Sequence, residues 1–269
     1  QQGKNFANKI WNAFRLIQSW EVDETLETCA TATAGIDWYS AKFQQTLATI
    51  DDHFSKYRIS DALMSTYKLI WDDFCSWLLE IVKPAYNTGI DPETYAKVCI
   101  LFEDNLRLLH PFMPFLSEEL WHALKSRAKD EALIVSDWPT QKTIDTTILD
   151  QFDHSAALVA LLRTVRKDQN ISFKEPLGLV ETTHDNVSLR PIVEKLVNIQ
   201  TWDKVAKAPE QAISFRVNAL EYFVPVAASN IEEERKKMEE ELTYQEGFLR
   251  SVEKKLSNER FVSNAPEKV

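Results

Sequence analysis

Glycine is scarce in this chain: five among 269 residues. That shortage argues against a turn-rich sheet protein and against a glycine-rich phosphate loop, for which no motif is present. No stretch of eighteen apolar residues occurs, so no membrane span is expected. The opening QQGKNFANKIW lacks the basic, apolar and small-residue regions of a signal peptide. Three cysteines, Cys29, Cys75 and Cys99, are odd in number and have no metal-type spacing. They read as reduced thiols of a cytoplasmic protein. Neither a nucleophile elbow nor a Cys/His metal set appears, and His53, His122, His154 and His184 stand alone, so no catalytic residue and no metal ligand is expected. Basic surplus is missing too. The formal net charge is −10. Residues 1–144 carry 14 basic and 20 acidic side chains, 145–226 carry 9 and 11, and 227–269 carry 8 and 10. Any nucleic-acid partner must therefore be met by local patches and base contacts.

Large apolar side chains are abundant, with 44% hydrophobic residues and eight tryptophans. Their spacing is helical. Phe6, Ile10, Ala13, Phe14 and Ile17 predict a helix over about Asn5 to Ser19. Thr25 to Gly35 reads as a connection, and a second helix is expected from Asp37 towards Phe54. Ser60 is a suitable cap for a third. Its stripe (Leu63, Tyr67, Ile70, Trp71, Phe74, Trp77, Leu78, Ile81) predicts one continuous helix ending at Pro84. Asp91-Pro92-Glu93 opens a fourth, with proline at its favoured first position. That helix runs through Tyr95, Val98, Cys99, Phe102 and Leu106 to the corner LHPFMPFLSEELW (Leu109 to Trp121). Pro111 and Pro114 forbid continuation there, and Ser117 or a neighbouring turn residue can open a fifth helix with Glu118 and Glu119 in its first turn. His110 fits a hydrogen-bonded corner residue.

Beyond the extended LIVSDWP (Leu133 to Pro139) the pattern changes. A helix is expected over Ile148 to Asp168 and another over Leu189 to Asn198. Strands are expected at Pro176 to Thr182 and Trp202 to Ala206, followed by a hairpin in Ala212 to Val226 turning at Asn218-Ala219. Arg163, Arg166 and Lys167 share a helix face that can meet phosphates, although a solvated face fits equally. From Ile231 the a positions (Ile231, Met238, Gln245, Val252) and d positions (Arg235, Leu242, Leu249, Leu256) of a coiled coil repeat every seven residues. The fold class is thus mainly α: an antiparallel helical bundle (1–144), a small α+β region (145–226) and the first limb of a coiled-coil arm (227–269).

Three stretches, NKIWNAFRLI (Asn8 to Ile17), SDALMSTYKLIWDDFCSWLLEIVKP (Ser60 to Pro84) and LHPFMPFLSEELW, resemble in order and spacing the anticodon-binding domain of class I aminoacyl-tRNA synthetases, and among them the valyl-tRNA synthetases. Asp137-Trp138-Pro139 resembles that domain's ending, and KKLSNERFVSNAPEKV (Lys254 to Val269) resembles the hairpin tip of the valyl arm. ISFKEPLGL departs from the family's loop of prolines and glycines before the strand, so no contact by that loop is carried over to this chain. The resemblance implies valine-accepting tRNA as partner, with neither DNA nor membrane, and a monomeric, cytoplasmic parent. That parent would use ATP with Mg to attach valine to its tRNA. The ATP-site signatures of the family are absent from these residues, so no cofactor is expected here.

The same resemblance directs the first helix at an anticodon loop. Asn8, Asn12 and Arg15 share a face by i, i+4, i+7 spacing and offer two amides and a guanidinium to base edges, as a plain solvated face also would. Leu16 can support a splayed base, and Arg107 is a further candidate near the same end of the bundle. On the arm, Lys236, Lys237, Arg250, Lys254 and Lys255 are available to phosphates. An isoleucyl or leucyl enzyme is an alternative within the class. A non-enzymatic coiled-coil interaction module is the alternative outside it, and the net charge suits that reading.

Overall fold

The computed structural model describes residues 2–128, 130–182, 188–209, 211–225, 242–250 and 252. Six α-helical stretches are described in the first part: α1 (Gln2–Gln18), α2 (Ala30–Ser55), α3 (Ile59–Lys68), α4 (Leu79–Val82), α5 (Pro92–Leu109) and α6 (Pro114–Leu124). α1 buries Phe6, Ile10, Ala13 and Ile17, one stripe at three- and four-residue spacing. Phe6 meets the ring of Tyr67 at 4.7 Å, and the Lys9 ammonium lies 5.4 Å over Trp71. Phe6 thus meets the end of α3 and Lys9 the segment after it, so α1 runs parallel to this rod.

Four local expectations are corrected here. Helix α2 starts at Ala30 rather than Asp37, because Ala32 and Ile36 are buried and extend its stripe into the supposed connection. Ser60 is not a cap: α3 begins at Ile59 after Arg58, without a side-chain capping bond. The third helix is not uniformly α, since Leu69–Leu78 is a π segment between α3 and α4. There the Ser76 hydroxyl donates to Trp71 O, five residues back, and the Leu79 N–H donates to Phe74 O at the same interval. Of the residues expected to open α6 it is the turn ahead of Ser117 that does so, and Glu118 and Glu119 consequently fall beyond its first turn. Pro114 occupies the first turn and Ser117 is buried, donating to Met113 O while 2.8 Å from His110 Nδ1. His110 is thus a bonded corner residue, as expected. Asp91 does cap α5, accepting from Thr94 N at 2.8 Å ahead of Pro92.

The second part comprises α7 (Thr147–Asp168), α8 (Arg190–Val197) and strands β1 (Leu177–Glu181), β2 (Ile199–Lys204), β3 (Ala212–Val217) and β4 (Leu220–Pro225). The sheet order is β2-β1-β4-β3. β1 and β2 are parallel, with α8 as their crossover, whereas β4 is antiparallel to both its neighbours. The hairpin turns at Asn218 with φ 52°, a left-handed conformation that asparagine tolerates. His154 on α7 ties helix to sheet, its Nε2 lying 2.8 Å from the Tyr222 hydroxyl. One apolar core runs from Phe6 to Val224 through both parts.

Candidate nucleic-acid interface

Because α1 puts its apolar stripe under the bundle, its polar stripe must face out. Asn8, Asn12 and Arg15 are all exposed, and their side chains make no hydrogen bond or ion pair among the described residues. At about 1.5 Å rise per residue the three groups span about 10 Å of helix. Trp11 belongs beside them: it stays 36% exposed, tilted against Phe14 at 5.8 Å. Sequence periodicity assigned it nothing, since a tryptophan flanking an apolar stripe usually packs inward.

Leu16 is half-buried and leads to a feature that spacing could not show. With Ser19, Trp20 and Glu21 it forms one wall of a cleft of about 560 Å³ whose other wall is the loop Lys83 to Gly89. Tyr86 at that loop's tip is 93% exposed. Backbone pairing stitches the two walls: Ile90 N donates to Glu21 O and Asp23 N to Ile90 O, each at 2.9 Å. Gly89 makes the approach possible. A Cβ there would sit 2.8 Å from Asp23 Cβ and 3.0 Å from Glu21 O.

The charge around the cleft is mixed. Glu21, Glu24 and Glu27 are exposed on the α1–α2 connection. Asp23 accepts from the Thr25 hydroxyl at 2.6 Å and from Thr25 N, which holds its carboxyl below the usual range. Lys83 pairs with Glu80 at 2.5 Å. A site of this kind favours base edges and ring faces over a run of phosphates.

Arg107 is already engaged. Its guanidinium pairs with Asp104 at 2.7 Å and lies 4.8 Å over the Trp121 ring, so its partners are on α5 and α6. Arg127 covers Trp121 at 3.8 Å and donates to its carbonyl. Arg166 is corrected from phosphate candidate to structural residue. It is 4% exposed and donates to Val197 O, Ser172 O, Glu175 O and Asn198 O, binding the turns before β1 and β2 to α7. Arg163 and Lys167 remain exposed. On the arm, residues 242–250 are helical and exposed, and Arg250 lies 4.0 Å from Glu246. Lys236, Lys237, Lys254 and Lys255 lie outside the described residues, as do half of the heptad positions (Ile231, Arg235, Met238 and Leu256) and the stretch Lys254 to Val269. No cluster of three metal-ligating side chains occurs among the described residues, and no described helix is long and apolar enough to cross a membrane.

The family profile described as the anticodon-binding domain of tRNA ligase matches residues 37–181, more than half of the chain. The chain belongs to the tRNA-ligase anticodon-binding family. That family's match begins within α2 and ends at β1, so α1 with its polar face precedes it. A second profile, the tRNA-binding arm of valyl tRNA synthetase, matches residues 230–269. Whole-chain similarity reaches past both. The chain is 52% identical over 272 residues to a valine–tRNA ligase of Christiangramia forsetii, 46% over 270 to one of Parabacteroides distasonis and 43% over 270 to one of Porphyromonas gingivalis. Each alignment covers all of this chain but 31% of the relative. The chain thus spans about a third of the length of these curated relatives.

Proposed function

We propose that this chain is the tRNA-gripping carboxy-terminal third of a valine–tRNA ligase, in which an upstream catalytic part uses ATP and Mg to attach valine. The observation that carries the reading is the polar stripe Asn8, Asn12, Arg15 on α1, unpartnered among the described residues and continuous through Leu16 with a cleft that ends in an exposed tyrosine. Amides and a guanidinium suit the edges of unstacked bases, and Tyr86 and Trp11 offer ring faces on which bases stack. Arg107, already engaged by Asp104 and Trp121, would act at most by shaping the neighbouring surface. Arg250 and the arm lysines Lys236, Lys237, Lys254 and Lys255 are the proposed phosphate partners at the outer corner of the tRNA. Division into an anticodon bundle (1–144), a junction region (145–226) and an arm (227–269), a monomeric parent and a cytoplasmic location belong to the same proposal.

Filter binding of the parent protein to valine-accepting tRNA tests it. Arg15→Ala should weaken binding by about 1–3 kcal/mol, the usual loss for a base-reading arginine, and should reduce the preference for the native anticodon. Equal affinity and equal preference in the variant would remove α1 from the recognition surface.

A further inference from the structure

The cleft's outer wall is held by a residue from the other half of the chain. Lys195 projects from α8, and its ammonium donates to Ile81 O at 2.6 Å and Lys83 O at 2.8 Å, carbonyls 114 and 112 residues away in sequence. These are end-of-helix carbonyls. α4 finishes at Val82, Pro84 blocks a further turn, and the last carbonyls of a helix have no partner within it. A cation at this end is also favoured by the helix dipole. Burial of the ammonium pulls its pKa below the usual lysine range. α8 itself is anchored on α2, where the Thr31 hydroxyl donates to Pro191 O at 3.4 Å.

The loop that carries Tyr86 is therefore fixed at both ends and braced in the middle. Lys195 holds its start at Lys83. Glu21 and Asp23 hold its finish at Ile90. Thr88 folds back on Ala85, its N–H and hydroxyl donating to Ala85 O at 3.1 and 2.9 Å. Remove the first tie and the chain from Ile81 to Ala85 keeps its helical lead-in but loses the only cross-chain hydrogen bonds described at that end.

We propose that Lys195 is a positioning residue for the Tyr86 loop, through which the α+β region sets the shape of a cleft it does not itself line with a base-reading group. This rests on the reading of the cleft as an RNA-loop site. The consequence is that residues beyond the family match at 181 control recognition by residues before it. A preset wall lowers the ordering cost of binding, so the loss of Lys195 should appear in affinity for the RNA and leave the chemical step untouched.

The test compares Lys195→Met, Lys195→Arg and Tyr86→Ala, singly and with Lys195→Met combined with Tyr86→Ala, in the full-length protein. Aminoacylation of tRNA with native and base-substituted anticodons gives the first readout. Lys195→Met should raise KM for the native tRNA by about 10-fold with kcat unchanged, the signature of lost binding without lost chemistry. Lys195→Arg should recover most of that loss. In the double variant Lys195→Met should add nothing to Tyr86→Ala, because it acts through the loop. Hydrogen exchange of the Thr88 and Ile90 amides, in the absence of RNA, is the second readout and should quicken in Lys195→Met alone. Unaltered exchange in Lys195→Met, or additive losses in the double variant, would overturn the positioning role while leaving the cleft reading intact. Tyr86→Ala without effect on KM, together with quickened exchange in Lys195→Met, would instead overturn the RNA-loop reading on which the functional half of the proposal stands.

Discussion

Trp38 and Phe152 stack face to face, their ring centroids 3.5 Å apart and their planes 13° from parallel. Trp77 closes the group edge-on against Phe152 at 5.2 Å. The first ring belongs to the bundle and the second to α7, so the two parts share a buried seam. Phe152→Ala should cost about 3–5 kcal/mol, the range for deleting a buried ring. Urea unfolding followed by tryptophan fluorescence and by far-UV circular dichroism should show both probes shifting together. Separate transitions, with only the sheet region weakened, would show that the seam does not couple them.

Asp73 lies beside that seam, next to Trp38, Lys42 and Asp153. Burial raises its pKa to about 6, Asp72 and Asp153 push in the same direction and Lys42 opposes them. Since the folded form holds this proton more tightly than the unfolded chain, stability from this group is greatest below pH 4. It falls as pH rises through 6. Asp73→Asn should then stabilise the protein at pH 7 by an amount on the order of 1–3 kcal/mol and flatten the slope between pH 4 and 6. Chemical denaturation at pH 4, 5, 6 and 7 measures both effects, and a steeper slope in the variant would contradict the assignment.

Arg166 fixes four backbone carbonyls, so its loss leaves buried acceptors without donors. Arg166→Met should destabilise by about 2–5 kcal/mol. Exposed Arg163, by contrast, should tolerate alanine within about 0.5 kcal/mol. The decisive comparison is the salt dependence of tRNA binding at a temperature where both variants remain folded. Arg166→Met should leave the slope as it is, because a guanidinium spent on carbonyls neutralises no phosphate.

Gly89→Ala places a methyl group within 2.8 Å of Asp23 Cβ. The Glu21 to Ile90 pairing must spread, at a cost of about 1–3 kcal/mol by the usual overpacking penalty. Thermal unfolding and tRNA affinity should both fall. A variant that melts lower yet binds as tightly would mean that the cleft tolerates a wider gap.

Local chemistry was legible in the sequence, and long-range chemistry was not. Asp91 and Pro92 announce the start of α5 because cap and proline act within four residues. Asn8, Asn12 and Arg15 fall on one exposed face because helical spacing alone decides it. Ser117 looked like a cap of the same kind, but Pro114 starts the helix sooner and the hydroxyl turns inward to His110 and Met113 O. For Arg166 the spacing i, i+3, i+4 with its neighbours is compatible with an outward face. Only the turn at Val197 and Asn198, some thirty residues on, draws it inside. At the Tyr86 loop Asn87-Thr88-Gly89 marks a turn in the sequence, but nothing local shows that the loop is a wall, since that depends on the pairing of Ile90 with Glu21 and the reach of Lys195. The π segment escaped for another reason. Trp71, Phe74, Trp77 and Leu78 satisfy an apolar stripe at three- and four-residue spacing whichever backbone ladder joins them.

That π segment leaves slack in the bundle's central rod. Each of its wide turns holds one residue more than an α turn over nearly the same course, so deleting a single residue between Leu69 and Leu78 would tighten the ladder. The faces of α3 and α4 on either side would not be swung around. Homologous chains one residue shorter in this stretch would then keep Tyr67 against Phe6 and Ile81 against Gly35, and a length change that would be ruinous in any other long helix of the bundle would pass here as a local rewinding.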